Sequence, residues 1–122
     1  MPSVVHFGLA ASDPDASASV YQAVFGRKIT KWEGPQEYWM VETGDEGEPG
    51  INGGLFAPNE IFSGTVNTID VPDINAFIEK IEQHGGEIVV KKHAVPGIGF
   101  NAYAKDVDGS LFDIHQEDTQ AR

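Results

Sequence analysis

The stretch Asp106-Val107-Asp108-Gly109-Ser110-Leu111-Phe112-Asp113-Ile114-His115 organises the chain. Its Asp and Gly residues make a turn, and the residues after Gly109 alternate as a strand does. Leu111, Asp113 and His115 point one way, Phe112 and Ile114 the other. One face suits an apolar core. The other sets a carboxylate and an imidazole on the same side, two residues apart, which makes it the first place to look for chemistry. A related segment occurs earlier: Gly53-Gly54-Leu55-Phe56 matches Gly109-Ser110-Leu111-Phe112.

Working outward, the chain reads as βαβββ twice. Ser3 to Ala10 alternates as a strand. Ser12-Asp13-Pro14-Asp15 starts a helix, with a capping residue, a proline at the first helical position and an acid in the first turn. Ala16, Val20, Val24 and Phe25 give that helix an apolar stripe, with Tyr21 beside it, and Gly26 stops it. Strands are expected over Arg27–Glu33, Glu37–Thr43 and Ile51–Ala57, with Gly34-Pro35 turning the chain between the first two. After a connector from Pro58 to Ser63 the pattern restarts. Thr65–Val71 is a strand, and Pro72-Asp73 opens a helix with Ile74, Phe77, Ile78 and Ile81 on one face, ended by Gly85-Gly86. Strands follow over Glu87–Lys92, Phe100–Lys105 and Leu111–Gln116, and the polar tail from Asp118 is expected to fray. The 122 residues thus form one domain, 1–122, with repeats of about 3–57 and 64–117. The fold class is α+β: two βαβββ modules forming cupped mixed sheets with the helices outside. Side by side, two such halves enclose a groove suited to a small-molecule ligand.

Composition narrows the partners. Nineteen acidic residues face eight basic ones, a net charge of -11. Such a surface repels phosphate backbones and anionic bilayers, so neither nucleic acid nor membrane is an expected partner. With no cysteine, disulfides, thiolate-bound zinc and thiol nucleophiles are excluded. No apolar run approaches the roughly 20 residues of a membrane span. The start of the chain lacks the basic-then-apolar pattern of a signal peptide, and a cytoplasmic protein is the expectation. Gly97-Ile98-Gly99 is too short for a dinucleotide fingerprint, and no phosphate loop or nucleophile elbow is present. The acidic loop with Asp45, Glu46 and Glu48 lacks the ligand spacing of a calcium site.

The βαβββ-βαβββ order resembles that of the vicinal oxygen chelate superfamily, which includes glyoxalase I, bleomycin and fosfomycin resistance proteins and extradiol dioxygenases. The residues that carry the resemblance are His6, Asp13-Pro14…Val20-Tyr21…Val24-Phe25-Gly26, Ile81…Gly85-Gly86 and Asp106-Val107-Asp108-Gly109. The last resembles the family's DPDG turn, with Val107 in place of proline. Glu37-Tyr38-Trp39 and Gly50-Ile51-Asn52-Gly53-Gly54 resemble a subgroup of short glyoxalase-like proteins. The resemblance implies a divalent ion held by four ligands, one from the first and last strand of each half, which acts as a Lewis acid on a substrate's vicinal oxygens. Carried over, the first-strand histidine is His6 and the last-strand acid is Asp113. The two remaining positions fall on Ala57 and Val66, with Asn67 next to the latter. His115 is the one available third donor, completing a two-histidine, one-carboxylate set of His6, Asp113 and His115. Two donors and one further candidate do not make a tight site, so the expectation is that no tightly bound metal is present.

Three readings stay open: a glyoxalase-like lyase or isomerase (less readily a dioxygenase), a metal-free binder that sequesters a planar drug-like molecule, and a sensing or accessory module. For the first, Asp113, His115 and Tyr103 are the candidate catalytic residues. For ligand contact the candidates are the strand aromatics Trp32, Tyr38, Trp39 and Phe100; alternation sends Trp39 to the opposite side from Tyr38. His84 and His93 read as surface residues. By the habit of short family members, the chain is expected to form a homodimer.

Overall fold

The structure, a computed structural model, describes residues 2–32, 37–59 and 62–122. The expected turn at Gly34-Pro35 and the middle of the Pro58–Ser63 connector lie outside the described residues. The element order is β1 (Val4–Ala10), α1 (Pro14–Phe25), β2 (Lys28–Lys31), β3 (Tyr38–Glu42) and β4 (Asn52–Phe56), followed by β5 (Thr65–Asp70), α2 (Ile74–Gln83), β6 (Glu87–Val95), β7 (Gly99–Lys105) and β8 (Leu111–Glu117). This is βαβββ repeated, an α+β fold with mixed sheet. The chain divides into two compact units, His6–Val66 and Asn67–Arg122, the latter with the N-terminal segment that ends at Val5.

In the first unit the strands run in the order β2-β3-β4-β1, with β1 and β4 parallel and the other pairs antiparallel. Asp13 caps α1 by accepting from the Ala16 N–H (3.1 Å), Pro14 stands in the first turn, and Gly26 closes the helix at φ 69° with its N–H on the Gln22 carbonyl. The expected stripe of α1 is not the packed one. Ala18 is buried against Val41 and Leu55, while Val20, Val24 and Phe25 are each more than half exposed. The inward positions, Pro14, Ser17, Ala18 and Tyr21, follow helical spacing but are small or polar, so a reading that tracks hydrophobicity alone selects the wrong side.

In the second unit the order is β5-β8-β7-β6, with β5 and β8 parallel and the rest antiparallel. Asp73 caps α2 by accepting from the Ala76 N–H (3.2 Å). Here the predicted stripe is the packed one. Ile74 is buried and Phe77, Ile78 and Ile81 pack on Val71, Ala102 and Ile114. The turn into β8 is tied by Asp106, whose Oδ1 accepts from the N–H groups of Asp108 and Ser110 (2.9 and 3.0 Å). Gly109 follows at φ 86°, a left-handed conformation that favours glycine. The C-terminal tail does not fray. Ala121 is buried, its carbonyl accepts from the Gly97 N–H (2.9 Å), and the Asp118 N–H donates to the Ile98 carbonyl (2.9 Å).

The matched Gly-Leu-Phe segments are not equivalent in the fold. Gly53 lies within β4 and pairs with Phe7, whereas Gly109 sits in a turn before β8. Leu55 is fully buried on the helix side; Leu111 is half-buried on the other. Strand pairing gives the true correspondence. Gly54 lies opposite Gly8 as Asp113 lies opposite Thr68. The first-half position that answers to Asp113 is therefore Gly54, not Ala57.

Candidate functional site

The two faces of the second-half sheet differ in chemistry. Towards α2 point Phe112, Ile114, Ala102, Phe100 and Ile69, which build the core. Away from it point Asp113 and His115 of β8, the paired Tyr103 and Asn101 of β7, and Thr68 of β5. Thr68 lies opposite Asp113 across the parallel pair; Tyr103 lies opposite Asp113, and Asn101 opposite His115, across the antiparallel pair.

Asp113 is the centre of this face. Only 3% of it is exposed. Its Oδ2 accepts from the Thr68 hydroxyl (2.8 Å) and from the Asn101 amide (2.7 Å). Its Oδ1 is buried and has no hydrogen-bond partner among the described residues. Burial raises the carboxyl from 3.8 to about 7, against the two hydrogen bonds, which favour the charged form. Desolvation is the larger effect. The Asn101 amide also reaches His115, whose Nδ1 lies 2.8 Å from Asn101 Oδ1. One asparagine thus bridges the acid and the imidazole. The Tyr103 ring stacks on the exposed ring of His93, with centroids 6.3 Å apart and planes 10° off parallel.

The remaining expected residues separate. Phe100 faces the helix side, packed on the α2 core with the Lys92 ammonium 4.7 Å from its ring centroid, so it does not share the face of Asp113. Trp39 likewise packs towards α1 with Val41 and Leu55. Tyr38 is on the opposite face of the first-half sheet. Its hydroxyl shares a 2.9 Å hydrogen bond with His6 Nε2, and Trp32 meets its ring edge-on at 6.3 Å. A Cβ at Gly54 would overlap the Tyr38 hydroxyl, so the bare glycine is what lets the ring lie over the sheet. His84 and His93 are exposed.

The residues do not fit the four-ligand ion site that the resemblance implies. Among the described residues no three His, Cys, Asp or Glu side chains gather into a group that could hold a metal. His6 is hydrogen-bonded to Tyr38, and Asp113 is engaged by Thr68 and Asn101. Val66 is buried and apolar, and Gly54 offers no side chain.

Thr68 and Asn101 were not among the residues singled out from sequence. Asn101 could have been found by closing the β7–β8 hairpin on the turn at 106–110, which sets it against His115. Thr68 required the β5–β8 register, which is fixed by pairing and not by any local pattern.

With fold and site in view, the class is clear: the chain belongs to the Glyoxalase/Bleomycin resistance protein/Dioxygenase superfamily, whose model matches residues 3–114. Comparison with curated proteins gives no match. Several solved structures are similar. A hypothetical protein from Bacillus halodurans C-125 is 18% identical with a TM-score of 0.71, over 99% of this chain and 98% of that one. Methylmalonyl-CoA epimerase from Mycobacterium tuberculosis is 16% identical with a TM-score of 0.69, over 94% of this chain and 87% of that one. A variant of the Streptomyces coelicolor epimerase, in complex with 2-nitronate-propionyl-CoA, is 17% identical with a TM-score of 0.71, over 98% and 97%. At these identities the likeness is one of fold.

Proposed function

We propose that this chain takes a small oxygen-bearing molecule at the Asp113 face and that Asp113 is the group that gives or takes a proton there. One observation carries the reading: a buried carboxyl with a pKa of about 7, one oxygen held by Thr68 and Asn101 and the other without a hydrogen-bond partner among the described residues. An acid or base is most effective when its pKa lies near the working pH. The unpartnered Oδ1 is where a transferable proton would sit, and Tyr103, opposite on β7, is the second candidate donor. Asp113, His115 and Tyr103 are thus the residues assigned to chemistry.

Charge narrows the ligand. The epimerase complex holds a CoA compound, but a chain with a net charge of -11 is a poor host for a polyphosphate tail. The reading therefore favours a neutral or cationic molecule with a carbonyl or hydroxyl group, handled by a cytoplasmic homodimer. No step in it uses a metal, and we expect less than stoichiometric zinc, nickel or iron after equilibration and desalting, measured by mass spectrometry.

A second reading has its own observation. Trp32, Tyr38 and His6 form an aromatic group in the first unit, as a binder of planar molecules would use. Ligand screening followed by titration of the first hit against Asp113→Asn and Tyr38→Ala separates the two. If Asp113→Asn abolishes the pH dependence of binding or turnover near neutrality, the first reading holds. If only Tyr38→Ala weakens binding, the second replaces it.

A further inference from the structure

We infer that Asn101 is a positioning residue that fixes His115 in the Nδ1–H tautomer, so that the Asp113 face presents a bare Nε2 lone pair to a ligand's hydrogen-bond donor. The inference rests on the proposed use of this face and adds a statement about which atom meets the ligand.

The argument starts from what each group can do. An ionised carboxylate only accepts hydrogen bonds. Asp113 Oδ2 therefore fixes the Asn101 amide with its NH2 towards the acid, at 2.7 Å. An amide oriented that way has its oxygen on the other side, where His115 Nδ1 lies at 2.8 Å. A carbonyl oxygen cannot donate, so the proton between the two belongs to Nδ1. In a neutral imidazole the other nitrogen is then an acceptor. Thr68 reinforces the chain of choices from the far end, since its hydroxyl donates to the same Oδ2 and leaves that oxygen a poor place for a proton. Gly99 lies beside the ring: an added Cβ there would run into the Gln116 carbonyl and would come within 2.8 Å of His115 Cε1, so the bare glycine leaves space for the imidazole edge as well as for the strand pairing.

The arrangement has a built-in competitor. Asp70 of β5 lies opposite His115 in the parallel register. Were its carboxylate the stronger partner, it would draw the proton to Nε2 and the face would present a donor. The two possibilities assign opposite ligand chemistry. A bare Nε2 selects ligands that offer an O–H, an N–H or an acidic C–H; a protonated Nε2 selects ligands that offer a carbonyl or anionic oxygen.

The test is the tautomer of His115, read from its two ring-nitrogen shifts by long-range 15N–1H correlation. The sample is the full chain at mildly alkaline pH. The expected result is Nδ1–H in the wild type, with Nε2–H gaining at least half of the population in Asn101→Ala. Asn101→Asp, which keeps an acceptor for Nδ1, should retain Nδ1–H. Wild-type His115 in the Nε2–H form overturns the inference without any variant being needed, and so does an Nδ1–H tautomer that Asn101→Ala leaves untouched. Asp70→Asn should leave the wild-type tautomer as it is; a switch on that substitution would assign the ring to Asp70 instead. Ligand titration of Asp113→Asn is a separate readout. Its failure to alter binding would remove the proposed function while leaving the His115 assignment standing.

Discussion

The two halves of the chain share an order of elements and use it differently. In the second half the helix puts its apolar stripe against the sheet, Ile74 and its neighbours on Ala102 and Ile114. The opposite face of that sheet carries a connected polar group, Thr68–Asp113–Asn101–His115. In the first half the helix contacts the sheet through Ala18 and leaves Val20, Val24 and Phe25 exposed. The face away from α1 carries rings, Tyr38 with Trp32 and His6, laid over glycine. One backbone plan therefore carries a hydrogen-bonded polar group in one copy and a group of rings in the other. The difference comes from single positions: the place of Asp113 is taken in the first half by Gly54.

The comparison can be broken most forcefully through pH. Asp113 holds its proton more tightly in the fold than in the unfolded chain. Between 3.8 and about 7 the folded protein keeps a proton that the unfolded one has lost. The contribution of this group to stability is therefore greatest at the acid end and falls as pH rises through that window. The full loss is on the order of 4 kcal/mol for a shift of this size. Asp113→Asn removes the charge and with it that loss. Urea unfolding at about pH 5 and about pH 8 should show the variant gaining on the wild type at the higher pH. A wild-type-minus-variant difference that is flat with pH would mean that the carboxyl is not desolvated.

A smaller effect comes from Thr68→Val, which keeps the shape and deletes one donor to Oδ2. It should cost roughly 1–3 kcal/mol at mildly alkaline pH, and less where the carboxyl is neutral, and should push Asp113 further up. Chemical denaturation at two pH values checks both. The smallest effect is in the first half. Tyr38→Phe removes the hydrogen bond to His6 and leaves the ring, at a cost of about 0.5–1.5 kcal/mol. A loss as large as that of Thr68→Val would show that the first half, too, depends on a desolvated polar pair.

Much of this was legible in the residues. Helix caps at Asp13 and Asp73, the strand pattern and the shared side of Asp113 and His115 are local signals, and each is where the sequence indicates. Non-local features were less readable. The matched Gly-Leu-Phe segments suggested Ala57 as the partner position of Asp113, but pairing shifts β4 relative to β8 and selects Gly54. Alternation separated Trp39 from Tyr38 without saying which faces the helix; the packing of Leu55 and Val41 decides it. Phe100 was read as a ligand residue from its type, whereas one step along β7 from Asn101 places it in the core. Thr68 escaped because it comes from a strand 45 residues away from Asp113 in sequence.

The central claim is that Asp113 is poised near neutrality by burial. The direct measurement is the 13C shift of its side-chain carboxyl, assigned by comparison with Asp113→Asn and followed across pH. A midpoint near 7 is the predicted result. A midpoint near the ordinary 3.8 would contradict the account.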